Sequence, residues 1–196
     1  MDKLTHFRID YTDVILQDYE DGKGKIILSN DDRDINLSYY WGSMGKGYNL
    51  SKFILKTNDG YLINKLGERD GDGPINMKKT MANVRKFIRK ESGWKWYMSP
   101  DDDKELRNEL NTIQSNSIDS RDFVKRMCNI DLHKFYSGSD IYYYGKDYFT
   151  DMIRGISDEP WYFIVNDPPP TNVWLSKFLP KIREHLKKES EVSIGL

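Results

Sequence analysis

An α+β protein is predicted: an N-terminal three-stranded antiparallel meander covered by short helices, followed by a mostly helical C-terminal part. Three observations predict it. Apolar residues alternate with polar ones over about the first 40 residues, with turn signals between the runs. From Leu50 onward the apolar spacing becomes helical. After the first two short helical stretches, Gly67 to Pro74 holds three glycines and a proline in eight residues, a linker composition. The expected organisation is therefore a β-rich region at 1–66, a linker at 67–74 and a mainly helical region at 75–196.

Taken in order, Thr5 to Leu16 reads as one extended segment with Phe7, Ile9 and Tyr11 on one face; the alternation slips at Thr12-Asp13 and resumes at Val14 and Leu16. Asp21-Gly22 predicts a primed hairpin turn, and Lys25 to Leu28 returns as a strand. Ile35, Leu37 and Tyr39 alternate with Asn36, Ser38 and Tyr40 up to Trp41-Gly42. Leu50 to Lys56 and Asp59 to Leu66 then read as two short helices that cover the sheet, the first capped by Asn49 or Ser51 and the second stopped by Gly67.

Beyond the linker, Met77, Met81, Val84 and Ile88 form a helical stripe, with Lys79, Lys86, Arg89 and Lys90 lying off it. Ser99-Pro100 followed by three aspartates is a helix start: a capping serine, proline at the first position and acids at the positive end of the dipole. Asp119 caps a short helix at Arg121 to Cys128. Lys146 to Ile153 leans to helix, and Trp161 to Val165 reads as a short buried strand. After the stiff Asp167-Pro-Pro-Pro170 break, Asn172 opens a last amphipathic helix carrying Trp174, Phe178, Ile182 and Leu186, which Pro180 must kink or restart.

Length and composition bound the function. A chain of 196 residues buries about 70% of its surface on folding and needs no disulfide or metal to be stable. The longest unbroken apolar run, Trp161 to Val165, is five residues, far short of the about 20 that a membrane span needs. MDKLTHFRID contains no apolar core of a secretory signal, so a cytoplasmic setting is expected. One cysteine, Cys128, excludes an internal disulfide and a cysteine-based zinc site; it is expected to be buried beside Phe123 and Met127 and inert. With 30 basic and 31 acidic side chains the net charge is −1, against a generic nucleic-acid binder, yet the charge is patterned. Residues 77–96 carry seven bases and one acid, whereas 98–124 carry seven acids and three bases.

Catalytic patterns are sought and not found. Gly42, Gly45 and Gly47 hint at a phosphate loop, but Tyr48 stands where such a loop needs lysine. His6, His133 and His185 are scattered. Asp101, Asp102 and Asp103 with Lys104 echo a metal-dependent nuclease, but they predict a helix cap. No cofactor, metal site or enzymatic activity is expected.

Two aromatic groups sit with the basic stretch or resemble its pattern: Trp94 and Trp96, and the run Tyr142, Tyr143 and Tyr144. Rings beside a basic track bind single strands by stacking and are equally at home in a protein interface. Together with Lys79, Lys86, Arg89 and Lys90 they are the expected partner-binding residues; the alternative for each is plain solvated face or core.

The stretch from Tyr39 to Leu66 is the most distinctive. Tyr39, Tyr40, Trp41, Gly42, Met44 and Gly45 form a YYWGxMG-like motif, followed by Phe53-Ile54-Leu55-Lys56-Thr57-Asn58 and Tyr61-Leu62-Ile63-Asn64-Lys65-Leu66. This resembles small uncharacterised proteins carried by phages and prophages, over about the first third of the chain; Lys46-Gly47-Tyr48 is an insertion, and residues 75–196 show no such resemblance. The motif itself is read as structural, with Trp41 and one of Tyr39 and Tyr40 buried and Gly42 and Gly45 turning the backbone. The resemblance implies an accessory protein from a pool that includes anti-CRISPR and other anti-defence proteins. The implied function is non-enzymatic inhibition of a host defence effector, a host protein or ribonucleoprotein such as a CRISPR nuclease, in the bacterial cytoplasm. The alternatives are a nucleic-acid-binding accessory protein and a metal-dependent nuclease.

Overall fold

The computed structural model describes residues 3–69, 71, 73–91, 99–131 and 154–194. It opens with four strands, β1 (Lys3–Ile9), β2 (Thr12–Asp18), β3 (Gly24–Asn30) and β4 (Ile35–Trp41), joined in the order β1-β2-β3-β4 with every neighbour antiparallel. The expected count of three strands is therefore corrected to four. The extended reading of Thr5 to Leu16 merged two strands, because their turn, Asp10-Tyr11, contains no glycine. Both residues have positive φ, 44° and 61°, as a two-residue type I′ turn requires. Such a turn pairs Ile9 with Thr12, so those two share a face. Inward residues thereby switch from odd numbers (Phe7, Ile9) to even ones (Thr12, Val14, Leu16). The slip in alternation at Thr12-Asp13 is that switch.

The same parity carries across the sheet. Ile26 and Leu28 lie inward on β3, and the four-residue loop between Asn30 and Ile35 returns β4 to odd positions, Ile35, Leu37, Tyr39 and Trp41. At one end Thr12 and Asn30 are buried and polar; Asn30 Nδ2 donates to Thr12 Oγ1 at 2.7 Å, which satisfies both. At the Asp21-Gly22 turn only Gly22 has positive φ, 72°, so the hairpin is a longer loop than the primed turn expected.

Helices α1 (Leu50–Lys56) and α2 (Asp59–Leu66) begin at Asn49 and Asn58, whose side chains accept from Lys52 and Tyr61 backbone N–H groups. Asp18 at the end of β2 also accepts from the Leu50 N–H at 2.7 Å. The last helix, labelled α6 (Pro170–Ile194), packs with this sheet. Trp174, Phe178, Ile182 and Leu186 are buried as their spacing predicts, together with Leu175 and Leu179. The helix runs on through Pro180, which is exposed. Asn172 does not open it. Asn172 is buried in the first turn and exchanges two hydrogen bonds, 2.9 and 3.0 Å, with the backbone of Glu68. A Cβ on Gly67 would lie 2.0 Å from Asn172 Oδ1, so glycine is required there by close approach. Arg183 reaches back to the carbonyls of Ile54 (2.9 Å) and Thr57 and to the Asp59 carboxylate, closing the end of α1 and the start of α2.

The chain divides into two compact units: Met1–Asp72 with Pro168–Leu196, and Gly73–Asp167. The division falls at the glycine-rich segment, but the final helix belongs to the first unit rather than to a C-terminal helical region. The second unit contains α3 (Met77–Glu91), α4 (Pro100–Asn116) and α5 (Ser120–Cys128), then one π-type turn at Arg154–Asp158 and a 3₁₀ turn at Pro160–Phe163. Ser99 and Asp119 cap α4 and α5. Met81, Val84, Ile88, Leu106, Leu110, Phe123, Met127 and Phe163 are among its buried core. Two expectations fail here. Trp161 to Val165 is not a buried strand: Trp161 and Tyr162 are exposed. Cys128 is exposed, one residue past the buried Met127 at the end of α5.

The expected helix at Lys146 to Ile153 lies outside the described residues. No helix among those searched is long and apolar enough to cross a membrane.

Candidate functional site

The three motif segments of the N-terminal third meet in space. Tyr39 and Trp41 come from β4, Phe53 from α1, and Tyr61 and Lys65 from α2. Ring centroids lie 4.7 Å apart for Tyr39 and Trp41, 5.4 Å for Trp41 and Phe53, and 6.2 Å for Phe53 and Tyr61. The Lys65 ammonium sits over both Tyr39 and Tyr61, within cation–π range. Trp41 is 4% exposed and donates its indole N–H to Tyr61 Oη at 3.2 Å. Tyr39 is half-buried and Tyr40 exposed, because they alternate across the strand. This is a packing cluster.

The glycines serve the same end. Met44 is buried, and its N–H donates to the Gly22 carbonyl at 2.6 Å. Gly22 N–H donates to Tyr48 O at 3.0 Å, and Gly47 N–H donates to Asp21 Oδ1 at 2.8 Å. The chain bends at Gly42, and the positive φ values fall at Gly45 (100°) and Gly47 (77°). The loop that hinted at phosphate binding instead docks on the Asp21-Gly22 hairpin, with its N–H groups engaged by the protein itself.

The basic helix behaves differently. In α3, Lys78, Lys79, Lys86 and Arg89 are exposed and fall within about 100° of one another on the helix. Met81, Val84 and Ile88 are buried on the opposite side. Lys79 lies 3.6 Å from Asp167. Lys78, Lys86 and Arg89 have no carboxylate partner among the described residues. Lys90 lies on α3, but its side chain, Trp94, Trp96, Tyr142, Tyr143 and Tyr144 are outside the described residues, as is His133.

Along one flank of α3 the chain from Phe163 to Asp167 runs antiparallel to the helix. Asn76 Nδ2 donates to Asp167 Oδ1 (2.8 Å), and the Asn76 N–H donates to Val165 O (2.7 Å). The buried Thr80 hydroxyl accepts from Val165 N–H (3.0 Å), and Phe87 and Phe163 stack edge to face at 5.3 Å. Just ahead of this strap, Trp161 (49%) and Tyr162 (72%) are exposed. Sequence reading missed this pair, because an apolar run of five suggests a strand; Pro160 ahead of it was the available signal, since proline opens the 3₁₀ turn.

The acids of α4 are engaged locally. Asp102 Oδ2 accepts from Ser99 Oγ at 2.7 Å, and Asp103 Oδ2 accepts from Arg107 at 2.8 Å. Among the residues searched no three His, Cys, Asp or Glu side chains group as ligands for a metal ion.

Fold and surface together define a small α+β protein with a covered β-meander and a helical unit that presents both exposed basic side chains and exposed rings. A family model described as a phage family matches residues 1–188, and the chain belongs to that family. The match extends the phage relationship from the first third, where the residues suggested it, across nearly the whole chain. No curated protein matches the chain, and no solved structure does.

Proposed function

We propose that this phage protein is a non-enzymatic accessory factor that binds and inhibits a host defence effector, a protein or ribonucleoprotein of the CRISPR-nuclease kind. The observation that carries the reading is the α3 face: Lys78, Lys86 and Arg89 are exposed and lack carboxylate partners among the described residues. Charges in such a state steer and hold an acidic partner, and a protein that blocks a large assembly requires only a surface. The phage family supplies the context.

A second reading, a nucleic-acid-binding accessory protein, is favoured by Trp161 and Tyr162, whose rings are exposed in the same unit as the basic helix; exposed rings together with cations bind single strands by stacking. One experiment separates the two. The tagged protein is used as bait in host lysate, with and without nuclease, and the Lys78→Glu, Lys86→Glu, Arg89→Glu variant serves as control. A defined effector that survives nuclease, is lost with the variant and is inactivated by the purified protein supports inhibition by protein contact. Recovery of nucleic acid alone supports the second reading and overturns the first.

A further inference from the structure

Between α3 and α4 lies a cleft of about 500 Å³, within the range of small-molecule sites, about 300–1,000 Å³. Three guanidinium groups line it, Arg85 and Arg89 one turn apart on α3 and Arg107 on α4, against one carboxylate, Asp103. They differ in what holds them. Arg107 is oriented by Asp103 at 2.8 Å, which neutralises it. Arg85 donates to Asn111 Oδ1 at 2.9 Å and Gln114 Oε1 at 2.8 Å; these neutral amides fix the group and leave its charge intact. Arg89 is exposed and has no carboxylate partner among the described residues. Among the described residues that line the cleft, three cations and one anion give a net charge of +2. Its floor is aliphatic: Ile88, Leu106 and Leu110.

We propose that this cleft binds a nucleoside 5′-phosphate. A phosphate monoester carries about −1.5 to −2 charge at neutral pH, which matches the surplus. Guanidinium forks bind phosphate through paired hydrogen bonds and stack on planar rings. Arg85 and Arg89 take the phosphate; the base lies on the aliphatic floor. The ligand chemistry is shared by a free nucleotide and by the 5′-phosphorylated end of a strand. The cleft shares Arg89 with the α3 face proposed above but lies on the flank toward α4, and the monophosphate titration tests it without any protein partner.

The test is calorimetric titration of the full chain with a nucleoside 5′-monophosphate, the parent nucleoside and inorganic phosphate, at low and high salt. The monophosphate is expected to bind, more weakly at high salt, and more tightly than either fragment. Arg89→Ala should weaken it by about tenfold or more, and Arg89→Lys, which keeps the charge but loses the fork, by less. Arg107→Ala should weaken it as well, whereas Lys125→Ala on α5 should not. Melting curves establish that each variant is folded; if Arg107→Ala is not, the Arg89 pair decides the matter alone. Two oligonucleotides that differ only in a 5′-phosphate or 5′-hydroxyl identify the source: tighter binding of the phosphorylated strand than of the free monophosphate points to a strand end. No binding of the monophosphate, equal binding of nucleoside or phosphate, or unchanged binding in Arg89→Ala overturns the proposal.

Discussion

The two units differ in what their most distinctive charges and rings do. In the sheet unit several long cations close on partners: Arg8 on Asp13 and Asp31, Lys181 on Asp10, Arg183 on Asp59, and Lys188 on Glu184. Its motif rings stack on one another. In the helical unit Lys78, Lys86 and Arg89 have no carboxylate partner among the described residues, and Trp161 and Tyr162 face solvent. Groups paired within the fold stabilise it; groups left unpaired at a surface are available to something else. The distinctive sequence motif therefore marks the scaffold, and the plainer half of the chain carries the surface through which we expect the protein to act.

The sharpest way to break this contrast is Trp41→Ala. The indole is buried among Tyr39, Phe53 and Tyr61, and truncation of such a ring costs about 3–5 kcal/mol. Urea denaturation should show a loss of that size. A variant as stable as the parent would mean that the motif is a surface after all.

In the helical unit the corresponding change is Thr80→Val, which has nearly the same volume. It leaves the Val165 N–H without its acceptor, at a cost of about 1–3 kcal/mol. Amide exchange at Val165 should accelerate, and Thr80→Ser should retain protection. If exchange is unchanged, Thr80 does not hold the strap that follows Trp161 and Tyr162.

The fold was readable wherever the pattern was local. Asn49, Ser99 and Asp119 announced their helices because a cap acts within three residues. The i, i+4 spacing of Trp174, Phe178, Ile182 and Leu186 gave the buried face of α6. Features that depend on distant residues were not readable. Nothing near Asp10-Tyr11 marks a left-handed turn except the parity change that follows it. Nothing near Arg183 says that its partners lie about 130 residues earlier, at Ile54, Thr57 and Asp59. The exposed positions of Lys79, Lys86 and Arg89 on α3 followed from helical spacing, whereas the exposure of Trp161 and Tyr162 was hidden by a run that favours strand on composition alone.

Charge reversal sharpens the comparison from the other side. Lys78→Glu, Lys86→Glu and Arg89→Glu together should leave the melting temperature nearly unchanged, because exposed unpaired charges contribute little to folding, while abolishing partner capture. A large drop in stability would assign these cations to the fold, as in the sheet unit.

The smallest expected effect concerns a charge in the helical unit that is paired. Asp122 Oδ2 accepts from Arg126 Nε at 2.8 Å and from the Ile118 N–H at 3.3 Å. Its carboxyl is held below its ordinary value, first by the hydrogen bond from Arg126, which together with the Ile118 backbone and the charges of Arg126 and Lys125 outweighs the opposing effect of desolvation. A carboxyl lowered on folding binds its proton more weakly in the native state than in the unfolded chain. Its contribution is therefore fully present above the unfolded-state pKa, about 4, and disappears as pH falls through the lower native value. Because the half-buried pair stays in contact with water, solvent screens part of this contribution. Asp122→Asn should be slightly less stable than the parent at neutral pH and should converge with it in acid, where both side chains are neutral. The measurement is a series of melting curves from neutral to strongly acidic pH. A difference that persists undiminished in acid would show that Asp122 acts through the shape of the α5 start rather than through its charge.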